Sequence, residues 1–238
     1  MPKRLFITGN SSGLGRGLTQ AYLTRDWSVY GLSRRGSGDL GGAVHDVRCD
    51  LADHDAVPLA MGTLLEGVPE LDLVILNAGI LGRIADLDQT PLSEIREVME
   101  INVWSNKTIL DWLKGSGIPI KQIVLISSGA AVNGNRGWGA YSLSKATLNM
   151  LGKLYVHEFP ETHLSSLAPG LVDTAMQDHL CDQVDREQFP SINKLRSARG
   201  TAAMPHPREA GELIAAVIPR LLGYPSGDFL DIRTMGAD

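Results

Sequence analysis

Tyr141 and Lys145 form the spacing YxxxK, which puts a phenol and an ammonium on one face of a predicted helix. A carbonyl group that is reduced by hydride must also receive a proton, and a phenol with a pKa of about 10 exchanges protons poorly at neutral pH. A neighbouring ammonium favours the phenolate, so we expect Lys145 to lower the pKa of Tyr141. The pair therefore predicts acid–base chemistry between a carbonyl compound and an alcohol.

A predicted strand that ends at Ser127 and Ser128 precedes this helix, and we expect Ser128 to hold a substrate oxygen beside the phenol. Ser128, Asp50 and the six histidines could instead form a hydrolytic triad. A nucleophile elbow has the form GxSxG, however, and the segment ISSGA lacks the first glycine. None of the histidines shows HExxH or paired ligand spacing, so we predict no metal site.

A glycine-rich turn, TGNSSGLG, follows the first predicted strand and opens a helix. Its glycines permit a tight turn, a close approach of the backbone to a pyrophosphate, and close packing of that helix, whose N-terminus attracts anions. No GK[ST] follows, which excludes a nucleoside-triphosphate loop, although a purely structural turn is the alternative. The turn predicts a dinucleotide site formed by Gly9, Asn10, Ser11, Ser12, Gly13, Leu14 and Gly15.

The end of the second predicted strand indicates which dinucleotide binds there. In NAD-binding sheets an acidic residue at this position accepts hydrogen bonds from the adenosine ribose. Here the position falls on Ser33, Arg34 and Arg35 follow at once, and no acid appears before Asp39. A guanidinium can bind a 2′-phosphate through charge-assisted hydrogen bonds, and Ser33 can add a hydroxyl. The sequence therefore predicts NADP(H), unless the two arginines merely solvate a loop.

Short apolar runs alternate with longer amphipathic stretches along the whole chain. Near-continuous apolar runs predict strands at 3–8, 27–33, 72–77, 122–127 and 162–168, with weaker strands at 43–50 and 227–233. The intervening patterns predict helices at 13–25, 53–66, 91–114, 140–158 and 207–222. This alternation is typical of an α/β fold, a doubly wound parallel sheet with helices on both faces. We expect one domain over 1–238.

The least regular segment, 175–206, is polar in a chain that is otherwise tightly patterned. A loop of that length inside a compact domain is usually functional. We therefore predict a substrate lid at about 175–206.

Composition excludes several function classes. The net charge of -5 argues against nucleic acid, because phosphate binding needs a clustered basic surface. No apolar run approaches the roughly 18 residues that a membrane span needs, and the apolar run near the N-terminus is too short for a signal peptide. Two cysteines without CxxC spacing cannot form a disulfide framework. We expect a cytoplasmic protein that acts on a small molecule, with no membrane or nucleic-acid partner.

Six signals in order along positions 8–174 resemble the short-chain dehydrogenase/reductase family. They are TGxxxGxG, the sequence LNAG where the family has NNAG, a helix asparagine, an active-site serine thirteen residues before the tyrosine, YxxxK, and PG followed by a threonine. The resemblance implies a Rossmann-type fold and the catalytic residues Asn102, Ser128, Tyr141 and Lys145. It assigns Asn102 a water-linked proton relay to Lys145.

The same resemblance assigns further positions to the cofactor. Asp50 matches the position that touches the adenine, although a helix N-cap role is the alternative reading for this residue. The other implied contacts are Leu51, Asn77, Ala78, Gly79, Tyr141, Lys145, Pro169, Gly170, Val172 and Thr174.

Within the family, the segment from Ser127 onward looks like the sepiapterin reductase and benzil reductase branch, through SSGAA, GWGAYSLSKA, APGLVDTAMQ and a late DIR. The branch implies reduction of an activated ketone or vicinal diketone to an alcohol. Topology places the substrate pocket over the cofactor, with candidate lining residues Ser128, Ala130, Val132, Trp138, Tyr141, Leu171, Met176, Phe189 and Ile192.

The family pairs its subunits through the helices that correspond to 91–114 and 140–158, which implies a homodimer or homotetramer. Two other functions stay open at this stage. One is an NAD-linked alcohol dehydrogenase that runs toward oxidation. The other is a non-catalytic dinucleotide-binding sensor or scaffold, although such a role needs no acid–base residues.

Overall fold

The computed structural model describes residues 2–235, which contain one parallel sheet of seven strands in the order β3-β2-β1-β4-β5-β6-β7. The predicted α/β doubly wound fold is confirmed, and all seven predicted strands form. Their bounds are β1 Arg4–Thr8, β2 Ser28–Ser33, β3 Val44–Arg48, β4 Leu73–Leu76, β5 Gln122–Ile126, β6 His163–Ala168 and β7 Phe229–Asp231. Strand order reverses between β1 and β4, so the carboxyl ends of these strands open a crevice.

Helices cover both faces of the sheet, as the strand–helix alternation predicts. Their bounds are α1 Gly13–Leu23, α2 Ala56–Leu64, α3 Leu92–Met99, α4 Ser105–Ser116, α5 Ala130–Asn133, α6 Gly139–Tyr155, α7 Ala175–Gln183, α8 Ser191–Ala198 and α9 Pro207–Val217. Side chains alternate across β1: Phe6 packs into the core under α2, α4 and α6, whereas Leu5 and Ile7 pack into the core under α1 and α9. No helix within residues 2–235 is long and apolar enough to cross a membrane.

Helices α1 and α9 approach each other through a pair of glycines. A Cβ atom on Gly17 would lie 1.8 Å from the Pro207 carbonyl oxygen, and one on Gly211 would lie 2.3 Å from the Gly17 carbonyl carbon. Real side chains do not approach backbone atoms this closely, so only glycine fits on both sides of this contact.

The segment 175–206 is more regular than its sequence suggests, because it contains α7 and α8. These helices close their own small core with residues from the preceding loops, including Leu81 and Ile84. Phe189 and Ile192, which we expected to line the substrate pocket, are 4% and 0% exposed within this core. These two side chains therefore pack inside the small core and do not line the cleft.

A single predicted helix at 91–114 is divided in the structure. A π-helical turn, Glu100–Trp104, separates α3 from α4. Such wide turns are rare and often occur at functional sites, because they move one residue out of the regular helical register. Asn102 lies in the middle of this turn.

Candidate active site

A cleft of about 440 Å³ opens at the carboxyl ends of the strands. It joins the glycine turn at one end to α6 and α7 at the other. Most of the residues predicted from the sequence line this single cleft: Gly9, Ser11, Ser12, Gly13, Leu14, Gly15, Ser33, Arg34, Asp50, Leu51, Asn77, Ala78, Gly79, Ser128, Trp138, Tyr141, Lys145, Pro169, Gly170, Leu171, Val172, Thr174 and Met176.

The glycine turn leaves no room for side chains where a phosphate would approach. Gly9 and Gly13 have φ angles of +70° and +53°, which side-chain-bearing residues rarely adopt. A Cβ on Gly15 would lie 2.2 Å from the Gly9 carbonyl oxygen. The turn thus forms a backbone cradle at the N-terminus of α1, and this cradle fits the pyrophosphate of a dinucleotide.

The end of β4 is tied to this turn. Thr8 Oγ1 accepts hydrogen bonds from the backbone N–H groups of Asn77 and Ala78, at 3.0 and 3.1 Å. Asn77 Nδ2 donates to the Thr8 carbonyl at 3.0 Å. The LNAG segment is therefore fixed against the first strand, where its backbone forms one wall of the cleft.

Asn10 lies in the turn but does not line the cleft. Its side chain is fully buried, and Nδ2 donates to Ser37 Oγ at 2.7 Å and to Asp46 Oδ1 at 2.6 Å. Ser37 in turn donates its backbone N–H to Asp46 Oδ2 at 2.6 Å. Asn10 thus holds the loop after β2, which carries the two arginines.

The arginines at the end of β2 face the cleft without an acidic partner. Arg34 and Arg35 are exposed and line the cleft, and within residues 2–235 no carboxylate forms an ion pair with either. The first acid after the strand, Asp39, instead accepts two hydrogen bonds from Arg16, at 2.6 and 3.0 Å. Ser33 Oγ accepts from the Gly36 N–H at 3.1 Å. This edge fits an anionic group on the adenosine ribose.

Two elements, β5 and α6, position the side chains that the sequence predicts to react. Ser128 follows β5, and its Oγ accepts from the Ala130 N–H at 3.1 Å. Tyr141 and Lys145 lie one turn apart on α6, with Lys145 Nζ 5.7 Å from the centre of the phenol ring. Lys145 is 3% exposed, and its Nζ donates to the Ile126 carbonyl at 2.8 Å. An ammonium has three N–H donors, so Lys145 can also donate to ribose hydroxyls in the cleft.

Burial governs the acid–base properties of this pair. It raises the pKa of Tyr141, and the hydrogen bond from the Ser128 hydroxyl offsets only part of that increase. The direction is opposite to the lowering that we expected from a neighbouring ammonium. Burial also lowers the pKa of Lys145 to about 8, because its charged form is poorly solvated.

Asn102 supports the site from behind the cleft. Its amide accepts from the Ile80 N–H and donates to the Ile80 carbonyl, both at 2.8 Å. It also donates to Ser144 Oγ at 2.9 Å, and Ser144 donates to the Tyr141 carbonyl at 2.7 Å. A Cβ on Gly79 would lie 3.1 Å from Asn102 Oδ1 and 3.5 Å from Lys145 Nζ. Asn102 thus links the π-turn to α6, and its part in a proton relay stays a prediction.

The end of the cleft beside α7 is mostly apolar, and we call it the substrate end. Trp138, Leu171 and Met176 line it as predicted, and their side chains pack against the core of the 175–206 segment. Trp138 Nε1 donates to Ser191 Oγ at 2.9 Å, which ties α8 to the start of α6. Among the other predicted pocket residues, Ala130 lies in α5 outside the cleft lining, and Val132 is 67% exposed beside a separate hollow.

Sequence reasoning missed several residues that line the cleft. Leu180 and Leu195 come from α7 and α8, whose helical pattern within 175–206 could have indicated an inward face. The others carried no recognisable signal: Cys49, Ile80, Ile101, Ile126, Ala175 and Gln177. Within residues 2–235, no group of three or more His, Cys, Asp or Glu side chains could hold a metal ion.

The fold and this site define a dinucleotide-binding oxidoreductase. The chain belongs to the short-chain dehydrogenase/reductase family, because the family model for short chain dehydrogenases matches residues 3–185. Members of this family bind a nicotinamide dinucleotide, and the residues of the cleft described above fit such a cofactor.

Individual relatives agree with this assignment. The short chain dehydrogenase gsfK of Penicillium aethiopicum is 29% identical over 251 residues, covering 97% of each chain. A benzil reductase ((S)-benzoin forming) of Bacillus subtilis is 27% identical and covers 95% of this chain and 97% of its own. The crystal structure of the KRED1-Pglu enzyme superposes with a TM-score of 0.82 at 24% identity, over 96% of this chain and 100% of that chain. The expected similarity to the benzil reductase branch is confirmed.

Proposed function

We propose that this protein reduces an activated ketone, such as an aromatic ketone or a vicinal diketone, to an alcohol with NADPH. The observation that carries the proposal is the arrangement of Ser128, Tyr141 and Lys145 at the junction of the phosphate-binding turn and the apolar substrate end. This junction is where a carbonyl group would meet both a hydride source and a proton source.

Each side chain has a separate role in the proposed reaction. The bound nicotinamide cofactor supplies the hydride that is added to the carbonyl carbon. Ser128 donates a hydrogen bond to the carbonyl oxygen and holds it beside the phenol, and Tyr141 gives that oxygen its proton. The positive charge of Lys145 stabilises the phenolate that remains until solvent returns a proton. Asn102 keeps α6 in register through Ser144.

The direction of the Tyr141 pKa shift supports this residue as the proton donor in carbonyl reduction. Burial raises this pKa, so the phenol keeps its proton at neutral pH and serves as an acid. An alcohol oxidation would need the phenolate as a base. The same side chain would act as the base in the reverse reaction, so the cofactor and substrate assays decide between the reductase and an NAD-linked alcohol dehydrogenase.

Arg34 supports NADPH as the reductant. Its exposed guanidinium lines the cleft where an NAD-binding site would have an acid, and Asp39 is occupied by Arg16. The 2′-phosphate of NADPH would find a cation at this position.

We further propose a cytoplasmic location and a homo-oligomeric assembly. Cys49 and Cys181 are buried, unpaired thiols, which suits a reducing compartment. The exposed apolar side chains of α6 supply a surface for pairing.

A substrate panel tests the proposal. The purified protein is assayed with NADPH and with NADH against benzil, 1-phenyl-1,2-propanedione, acetophenone, a pterin, an aliphatic aldehyde and an acyl-thioester. We expect NADPH oxidation with the highest kcat/KM for the aromatic diketones. Turnover of only sugars or thioesters would overturn the substrate class. Tight NADPH binding without turnover of any carbonyl would favour the sensor or scaffold instead.

A further inference from the structure

Gln177 brings an unpaired polar group into the apolar substrate end of the cleft. It lies in the first turn of α7 and lines the cleft next to Met176. Its Oε1 atom is buried and has no hydrogen-bond partner among the described residues. Its backbone is satisfied, because the N–H donates to the Thr174 carbonyl at 2.8 Å. A buried amide oxygen without a partner is destabilising, and two changes would relieve it: a ligand that donates a hydrogen bond to this oxygen, or a half turn of the amide that places its N–H groups against a ligand acceptor.

The surroundings of Gln177 restrict what that ligand can be. Leu171, Leu180 and Leu195 offer no hydrogen bonds, and the indole N–H of Trp138 is already donated to Ser191. Ser128 and Tyr141 are both committed to one substrate oxygen in the proposed reaction. Gln177 therefore supplies a second polar contact within an otherwise apolar pocket, which is the usual way such pockets fix the orientation of a ligand.

We propose that Gln177 binds a second oxygen atom of the substrate, next to the carbonyl that is reduced, and so selects vicinal diketones over simple ketones. This inference rests on the proposed function. The side-chain amide can present either its oxygen or its two N–H donors after rotation by half a turn. The N–H donors suit the second carbonyl of the diketone, and the oxygen suits the hydroxyl of a hydroxyketone.

A pair of matched ketones tests the proposal. 1-Phenyl-1,2-propanedione and propiophenone share one carbon skeleton and differ by a single oxygen. The variant Gln177→Met keeps the length of the side chain and removes its hydrogen bonds, and Gln183→Met makes the same change at an exposed position at the end of α7. We expect Gln177→Met to lower kcat/KM for the diketone about three- to tenfold, the effect of one hydrogen bond, with little change for propiophenone. Gln183→Met should leave both values unchanged.

Two binding measurements make the result independent of turnover. NADPH binding is followed by fluorescence titration, and the diketone is titrated calorimetrically into protein saturated with NADP⁺, which cannot reduce it. We expect Gln177→Met to leave the Kd of NADPH unchanged and to raise the Kd of the diketone by the same factor as above. Equal losses for both ketones, or a weaker NADPH complex, would assign Gln177 to the cofactor and overturn the inference. If wild type reduces neither ketone, the proposed function fails, while an unchanged diketone Kd would separately refute the role of Gln177.

Discussion

Lys145 carries the clearest conflict between stability and activity in the molecule. Its ammonium is 3% exposed, and burial lowers its pKa to about 8 from the 10.5 of a solvated lysine. The unfolded chain therefore binds this proton more tightly than the folded protein does. The cost of burying the charge is fully present below pH 8, and it disappears as the pH rises from about 8 to 10.5.

Lys145→Met should therefore abolish carbonyl reduction and stabilise the fold. We expect the free energy of unfolding at pH 7 to increase by about 1–3 kcal/mol, because the variant buries no charge. Denaturant melts at pH 7 and pH 10 measure this difference, which should shrink at the higher pH. A variant that is less stable than wild type at pH 7 would contradict the role that burial plays here.

The preference for NADPH or NADH depends on two residues, Ser33 and Arg34. We expect wild type to prefer NADPH over NADH by at least about tenfold in kcat/KM, since one charged phosphate contact is worth about 1.5–3 kcal/mol. Ser33→Asp combined with Arg34→Ala should reverse that order, because it removes the cation and repels the phosphate. Steady-state kinetics with both cofactors give the answer, and similar kcat/KM values in wild type would count against the assignment.

Residue spacing predicted much of the site but not its electrostatics. The glycine turn and the basic pair follow directly on the carboxyl ends of β1 and β2, and YxxxK lies in the first turns of α6, which line the same cleft. The sign of the Tyr141 pKa shift could not be read from spacing, since burial raises this pKa by more than the hydrogen bond with Ser128 lowers it. Nor could the spacing predict the direction in which a side chain points. Asn10 lies in the predicted loop and yet turns away from the cleft.

At the scale of elements, long periodic segments were predictable and their interruptions were not. The apolar runs located five of the seven strands, because buried parallel strands have no polar face, and weaker patterns located β3 and β7, which are only partly buried. The π-turn at Glu100–Trp104 leaves no sign in hydrophobic periodicity, since the residues on both sides keep a helical pattern. Two short helices within 175–206 were missed because their polar outer faces hide the buried residues.

The contact between α1 and α9 gives a prediction at this scale. Gly211→Ala should destabilise the fold by about 1–3 kcal/mol or more, because the new methyl group would overlap the backbone of Gly17. Gly62→Ala on α2 is the matched control, since nothing lies within 4 Å of its Cβ position. That control should gain about 0.5–1 kcal/mol through its better helix propensity. Thermal melts measure the midpoint of unfolding of both variants. If both midpoints shift in the same direction, the close approach of α1 and α9 is not needed for stability.

At the scale of the whole molecule, one stripe of α6 remains uncovered in a single chain. Leu143, Met150 and Leu154 are 47%, 56% and 59% exposed and lie on one side of the helix, and Trp104 is 39% exposed in the π-turn. Apolar side chains clustered in this way favour association between copies of the chain. We predict that the protein forms a dimer or tetramer that covers this stripe.

Light scattering after size exclusion tests this assembly. Leu154→Glu should shift the mass toward a single chain, because association would bury its charge. Leu59→Glu, at a 76% exposed position on α2, changes the charge equally and should leave the mass unchanged. A monomeric wild type, or equal behaviour of the two variants, would exclude this stripe as the interface.

The measurement closest to the central claim compares Tyr141→Phe with wild type in two assays, carbonyl reduction and NADPH titration. The variant removes the phenolic hydroxyl and keeps the ring that packs near Trp138. We predict that kcat for reduction of an aromatic diketone falls by at least about a hundredfold, the scale of general acid catalysis, while the Kd of NADPH changes less than about threefold. Reduction within a few fold of wild type would remove Tyr141 as the proton donor and contradict the account.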